Sequence, residues 1–177
     1  MRELNSEIKN FDLALEKLLL LRKNKVQSNS VSVSGIIKDV KKNGDKAVLK
    51  YEKKFNQNNV IVPTAQSIAK SIASLDQKVK KAIDLAYSRI YKFHSLQKFK
   101  NISYTDNLQN KLEYKYLPID SVAIYVPGST ASYPSSVLMN AIPAIVAGVK
   151  RIVMINPGFK GVQNPAVLYA ARTCKIK

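Results

Sequence analysis

The chain has 177 residues, of which 46% are hydrophobic and 23% charged, enough for one domain with a proper core or two small ones, and too few for a large multidomain enzyme. That balance excludes disorder, collagen-like repeats and a membrane-embedded class. The formal net charge of +17 is the outlying number, yet 24 of the 29 basic residues are lysines spread along the chain and only five are arginines. The planar forks that grip phosphates and read bases are scarce, so a solvated lysine-rich surface is expected and no specific nucleic-acid partner.

No apolar run approaches the roughly 20 residues that cross a bilayer; Leu18 to Leu21 are bounded by Lys17 and Arg22. The first seven residues lack the basic flank and apolar core of a secretory signal, so a cytoplasmic location without membrane contact is expected. The single cysteine, Cys174, fits a reducing compartment and excludes both an internal disulfide and a cysteine cluster built by this chain.

The first 100 residues have helical spacing. Phe11, Ala14, Leu15, Leu18 and Leu21 form a stripe, followed by a polar spacer, Gln27-Ser28-Asn29-Ser30, so residues 1–30 read as a leading helical arm. Ile36, Ile37 and Val40 mark a short helix stopped by Asn43-Gly44. Asp45 is expected to cap the next, with stripe Ala47, Val48, Tyr51 and Phe55. After Val60-Ile61-Val62, Ile68, Ile72 and Leu75 resume the helical period. Asp76 then caps the clearest helix, with Val79, Ala82, Ile83, Ala86, Tyr87, Ile90 and Phe93 on one face. Residues 31–110 therefore read as the mainly helical part of a first domain, ending in a polar stretch near 100–110.

From residue 111 the period changes. Leu112, Tyr114 and Tyr116 alternate with charges as in a half-exposed strand. Val122 to Val126 is a continuous apolar run closed by Pro127-Gly128, as expected of a strand buried on both faces. A hydroxyl-rich loop, Ser129 to Tyr133, leads into a helix from about Pro134 to Ala147, kinked by Pro143 and ended by Gly148. Arg151 to Ile155 is a further buried strand, Asn156-Pro157-Gly158 a turn, and Asn164-Pro165 the opening of a last helix. Strand, helix, strand, helix predicts a parallel sheet with right-handed crossovers. The expected fold class is α/β: a helical N-terminal part followed by an incomplete Rossmann-like parallel sheet, with residues 111–177 the start of a nucleotide-binding domain.

The chemistry this segment can carry is restricted. Between Ser121 and Lys177 there is no Asp, Glu or His, while Lys150, Arg151, Lys160, Arg172, Lys175 and Lys177 supply positive charge. It offers no general base of the usual kind and no carboxylate metal ligand, so no catalytic and no metal-binding residue is assigned. The lone histidine, His94, reads as a helix-surface hydrogen bonder, Cys174 as an inert buried thiol, and Ser135 and Ser136 as capping hydroxyls. The loop after the first buried strand is the place of functional promise. Ligands of open α/β sheets collect beyond the carboxyl ends of strands, where a helix N-terminus offers free amides. It contains no G-x-G-x-x-G and no Walker lysine.

At this loop the run Ser121-Val-Ala-Ile-Tyr-Val-Pro-Gly-Ser-Thr-Ala, continuing Pro134-Ser-Ser-Val-Leu-Met-Asn-Ala-Ile-Pro-Ala-Ile-Val-Ala-Gly-Val-Lys150, closely resembles the signature region of histidinol dehydrogenases. Asp39 to Phe55 and Ala82 to Gln97 are similar to that family's early helices, in the same order. The resemblance implies the N-terminal portion of a zinc-dependent enzyme that oxidises L-histidinol to L-histidine with NAD, the last step of histidine biosynthesis, in a homodimer. It maps the family's NAD-contacting tyrosine onto Tyr125, with Pro127 and Gly128 shaping the same loop. Ser129 departs from a second glycine usual there, and Ser132-Tyr133 from a more apolar pair. The resemblance also places the zinc ligands, the proton-transfer pair and the histidinol-binding residues beyond Lys177. A complementing C-terminal polypeptide is then the expected partner of a fragment inactive by itself. The rival expectation is a noncatalytic remnant that serves as an assembly or binding module with a basic surface.

Overall fold

The structure, a computed structural model, describes residues 10–128 and 133–176, with the side chains of 21–32 excepted. Residues 1–51 and 52–177 form two compact units.

The first unit is built on helix α1 (Phe11–Asn43) and the opening of α2 (Asp45–Asn56). Here the sequence reading is corrected: α1 runs without a break through Gln27 to Ser30, where a spacer between two helices was expected. Ser, Asn and Gln cost well under about 1 kcal/mol each in a helix interior, so a polar run does not end one. The real stop is Gly44, at φ 55° and ψ −137°, whose N–H donates to the Val40 carbonyl (2.8 Å). Asp45, expected as a cap, is instead the first residue of α2, and the Gly44 carbonyl accepts from the Ala47 and Val48 amides. Across this corner the Asp39 carboxylate accepts from Asn43 Nδ2 (2.6 Å), Lys50 Nζ (2.8 Å) and the Tyr51 hydroxyl (2.9 Å). Lys50 first, then Asn43 and Tyr51, hold the Asp39 carboxyl down at about 2.

In the second unit α3 (Ala65–Ala73) starts where Thr64 Oγ1 accepts from the Ser67 amide, and α4 (Gln77–Ser95) where Asp76 accepts from Lys78. Residues 100–110, read as a polar boundary, contain a strand. β1 (Ile102–Thr105) pairs antiparallel with β2 (Lys111–Tyr114), and Asp106 holds their turn by accepting from the Leu108 and Asn110 amides. The register puts Ile102, Tyr104, Leu112 and Tyr114 on one face of this hairpin, all exposed.

β3 (Ser121–Tyr125) then pairs in parallel with β4 (Arg151–Ile155) from Ser121↔Arg151 to Tyr125↔Ile155, with α5 (Pro134–Ala147) as the crossover and α6 (Pro165–Thr173) following. α5 continues through Pro143. It closes on Gly148 (φ 91°), with the Gly148 and Val149 amides donating to Ile145 and Ala144, the double closure of a Schellman motif. α6 closes in the same pattern on Lys175 (φ 56°), and Ile176 turns back onto the core. Asn164 Oδ1 accepts from the Ala166 amide and Pro165 occupies the first turn, as the sequence predicts.

The core is Ile83 of α4, Ile124 and Val126 of the β3 segment, Val137, Leu138, Ala141 and Ile142 of α5, and Val167, Ala170, Ala171 and Cys174 at α6. This corrects the expectation of strands buried on both faces. Ile124, Ile152 and Met154 turn inward, whereas the alternating Ala123, Tyr125, Val153 and Ile155 are exposed. The helices lie against one face, and among the described residues nothing covers the other. A continuous apolar run tells that both faces suit burial, not that both are covered.

Candidate functional site

The carboxyl ends of β3 and β4 carry two loops that touch. After β3, Val126 is fully buried and its N–H donates to the Ile155 carbonyl (2.9 Å), extending the ladder by one rung. Its own carbonyl accepts from Asn156 Nδ2 of the second loop (2.8 Å). Gly128 follows, and there the loops are in backbone contact. A Cβ on Gly128 would stand 1.9 Å from the Pro157 carbonyl oxygen and 2.8 Å from Asn156 Nδ2. The requirement for glycine is one of space: a side chain has nowhere to go.

Tyr125, by contrast, presents 62% of its surface to solvent at the strand end. Of the three residues singled out from sequence, the structure therefore gives Tyr125 an exposed ring and Gly128 a close crossing, with Pro127 exposed between them. Ser129 to Ser132 lie outside the described residues. The helix beyond begins with Tyr133 at the N-cap, without a side-chain cap hydrogen bond, and Pro134 at the first position. Ser135 and Ser136, expected as caps, sit inside the first turn, where the Ser136 amide donates to the Tyr133 carbonyl (3.1 Å).

Asn58 is the residue that sequence reading missed. It is 4% exposed, and it ties the segment after α2 to the second loop, one hundred positions later. Nδ2 donates to the Gly158 carbonyl (2.8 Å) and to Glu52 Oε2 (2.8 Å), while Oδ1 accepts from the Gly161 amide (2.6 Å). Directly after Gly158, Phe159 and Val162 exchange both backbone hydrogen bonds around Lys160 (φ 52°) and Gly161 (φ 76°), a two-residue turn of the I′ kind. The Lys160 amide also donates to the Asn56 carbonyl (2.9 Å). A cleft of about 420 Å³ opens beside this turn, lined among others by Asn58, Thr64, Ser67, Lys160 and Gln163.

The remaining candidates are placed as the sequence suggested. His94 Nδ1 lies 2.6 Å from Gln97 Oε1 on the surface of α4. Cys174 is buried, and burial pushes its thiol up to about 11. Among the described residues no three His, Cys, Asp or Glu side chains converge as a metal site. The zinc that the resemblance implies thus finds no ligand set among those residues.

A parallel strand–helix–strand–helix unit whose two strand-end loops cross at a glycine defines an α/β protein of the Rossmann-like class. The family model described as histidinol dehydrogenase matches residues 21–177, and the chain belongs to the histidinol dehydrogenase family. It is 78% identical over 174 residues to a histidinol dehydrogenase of Pelagibacter ubique, covering 98% of this chain and 41% of that protein. It is 41% identical over 181 residues to one from Psychrobacter arcticus, covering 99% and 42%. A crystal structure of histidinol dehydrogenase from Elizabethkingia anophelis superposes with a TM-score of 0.79 at 34% identity, over 84% of this chain and 35% of that one. The chain spans about two fifths of the length of the curated relatives it matches.

Proposed function

We propose that this chain forms the N-terminal part of a histidinol dehydrogenase, supplying the helical framework and one wall of an NAD site, and that oxidation of L-histidinol to L-histidine needs the rest of the family fold. The observation that carries the reading is the crossing of the loops at Gly128 with the Tyr125 ring exposed beside it. A site of this kind stands beyond the carboxyl ends of parallel strands, where a dinucleotide is held between loops. Tyr125 would offer a flat face to the cofactor. Pro127 and Gly128 would keep the loop low enough for a phosphate to approach the amides that open α5. Bound NAD supplies the hydride acceptor.

The chain's own part is binding and orientation. Ser121 to Lys177 contain no carboxylate or imidazole to move a proton, so acid–base groups and metal ligands are assigned to the complementing segment, and the complete assembly to a homodimer in the cytoplasm. No helix among the described residues is long and apolar enough to cross a membrane. The test mixes the purified chain with a polypeptide holding the part of the Pelagibacter ubique relative that this chain does not match, then follows NADH formed from histidinol. Turnover by the mixture and by neither component is expected. Turnover by the 177-residue chain itself, or no NAD binding by chain or mixture, overturns the proposal.

A further inference from the structure

We infer that Asn58 is a positioning residue for the Tyr125–Gly128 loop, acting through the tight turn after β4; its bearing on cofactor affinity rests on the NAD reading proposed above. Asn58 bonds the residue that leads into the turn, through the Gly158 carbonyl, and a central residue of the turn, through the Gly161 amide, and is itself held by Glu52. Gly158 directly follows Pro157, whose carbonyl oxygen occupies the space that a side chain on Gly128 would need. The turn packs closely on itself there, since a Cβ on Gly158 would meet the Val162 carbonyl oxygen at 3.0 Å. Displacing Gly158 therefore moves Pro157 against or away from Gly128. It also moves Asn156, whose amide secures the Val126 carbonyl. One buried amide side chain thus sets the spacing of two loops with which it shares no secondary structure. Its burial fits this role: a polar group removed from water persists where every hydrogen-bonding atom is used, and both Asn58 amide hydrogens and its oxygen have partners.

The decisive readout is amide hydrogen exchange at Val126, whose N–H bonds Ile155 and touches nothing on Asn58. In Asn58→Ala, exchange at Val126 and Gly161 is expected to rise about tenfold relative to amides in the middle of α4 and α5. Asn58→Asp keeps an oxygen for the Gly161 amide, loses the donors to Gly158 and to Glu52 and faces the Glu52 carboxylate with a like charge, so Val126 loosens while Gly161 stays the better protected of the two. Ile83→Val, a core change on α4, serves as the stability control and should raise exchange at Val126 no more than elsewhere. NAD affinity, measured by calorimetry on the same proteins, is expected to fall about tenfold in both Asn58 variants, since each roughly 1.4 kcal/mol of lost loop order is a factor of ten. Unchanged relative exchange at Val126 in both variants, or rises equal to those in Ile83→Val, overturns the positioning role. Loosening at Val126 in a protein that never binds NAD upholds the positioning role and removes the cofactor reading instead.

Discussion

Replacing Gly128 by alanine tests the loop crossing directly. The new methyl carbon would lie 1.9 Å from the Pro157 carbonyl oxygen, against a carbon–oxygen contact distance of about 3.3 Å, so the loops must part by about 1.4 Å. The obstacle is backbone on one side and the added carbon on the other, and no side-chain rotation relieves it. Separation on that scale breaks the Asn156 to Val126 hydrogen bond, 2.8 Å long. It also stretches the last rung of the parallel pair, from Val126 to Ile155. One hydrogen bond is worth about 1 kcal/mol net and overpacking costs about 1–3 kcal/mol, so a loss of about 2 kcal/mol is expected. For a chain of this size that is roughly 4–8 °C in Tm by scanning calorimetry. Amide spectra should place the shifts in 126–128 and 155–158, with α4 unmoved. Stability within about 0.5 kcal/mol of the parent and an unchanged spectrum at Val126 would refute the crossing.

Three further outcomes are expected. Tyr125→Ala, at an exposed strand end, should leave Tm within about 1 °C while weakening NAD roughly tenfold by loss of ring stacking; a large drop in Tm would mean the ring is structural. The Cys174 thiol, raised from 9.0 to about 11, should react with iodoacetamide at pH 8 about a hundredfold more slowly than the unfolded chain, and equal rates would contradict its burial. Asp39 titrates at about 2 in the folded chain against an ordinary 3.8. Because the folded value is the lower, its clamp on Lys50 is fully present above about pH 4 and is lost as pH falls towards 2. Carbon NMR of the Asp39 carboxyl should show this, with the midpoint moving up in Lys50→Gln and in high salt; a wild-type midpoint near 3.8 would dismiss the clamp.

Local signals carried most of the fold into the sequence. Asp76 and Asn164-Pro165 cap as their residue types require, Gly148 closes α5 in the left-handed region, and the continuous apolar runs mark β3 and β4, though not the one-sided burial that alternates along them. What stayed hidden has no local signature. β1 offers only Ile102 and Tyr104 among polar neighbours, too short an alternation to register. The polar run Gln27 to Ser30 lies inside α1 because polarity alone does not end a helix. Tyr125 and Gly128 were legible through the resemblance, but the reason for Gly128, the carbonyl of Pro157 arriving from the loop after the next strand, was not. Asn58 sits in the run Asn56-Gln57-Asn58-Asn59, which reads as an ordinary polar loop; its burial is decided by a turn one hundred residues downstream.

The hairpin has a consequence for how this molecule behaves in a tube. Four large apolar side chains, Ile102, Tyr104, Leu112 and Tyr114, share an open face on a polypeptide carrying a formal +17. Stickiness and mutual repulsion are thus built into one body, and they respond oppositely to electrolyte. Dissolved ions shrink the reach of the repulsion from about 10 Å at 0.1 M to about 3 Å at 1 M, while attraction between oily faces is undiminished or strengthened by salts such as sulfate. Dilute buffer should keep the protein dispersed, and concentrated brine should clump it.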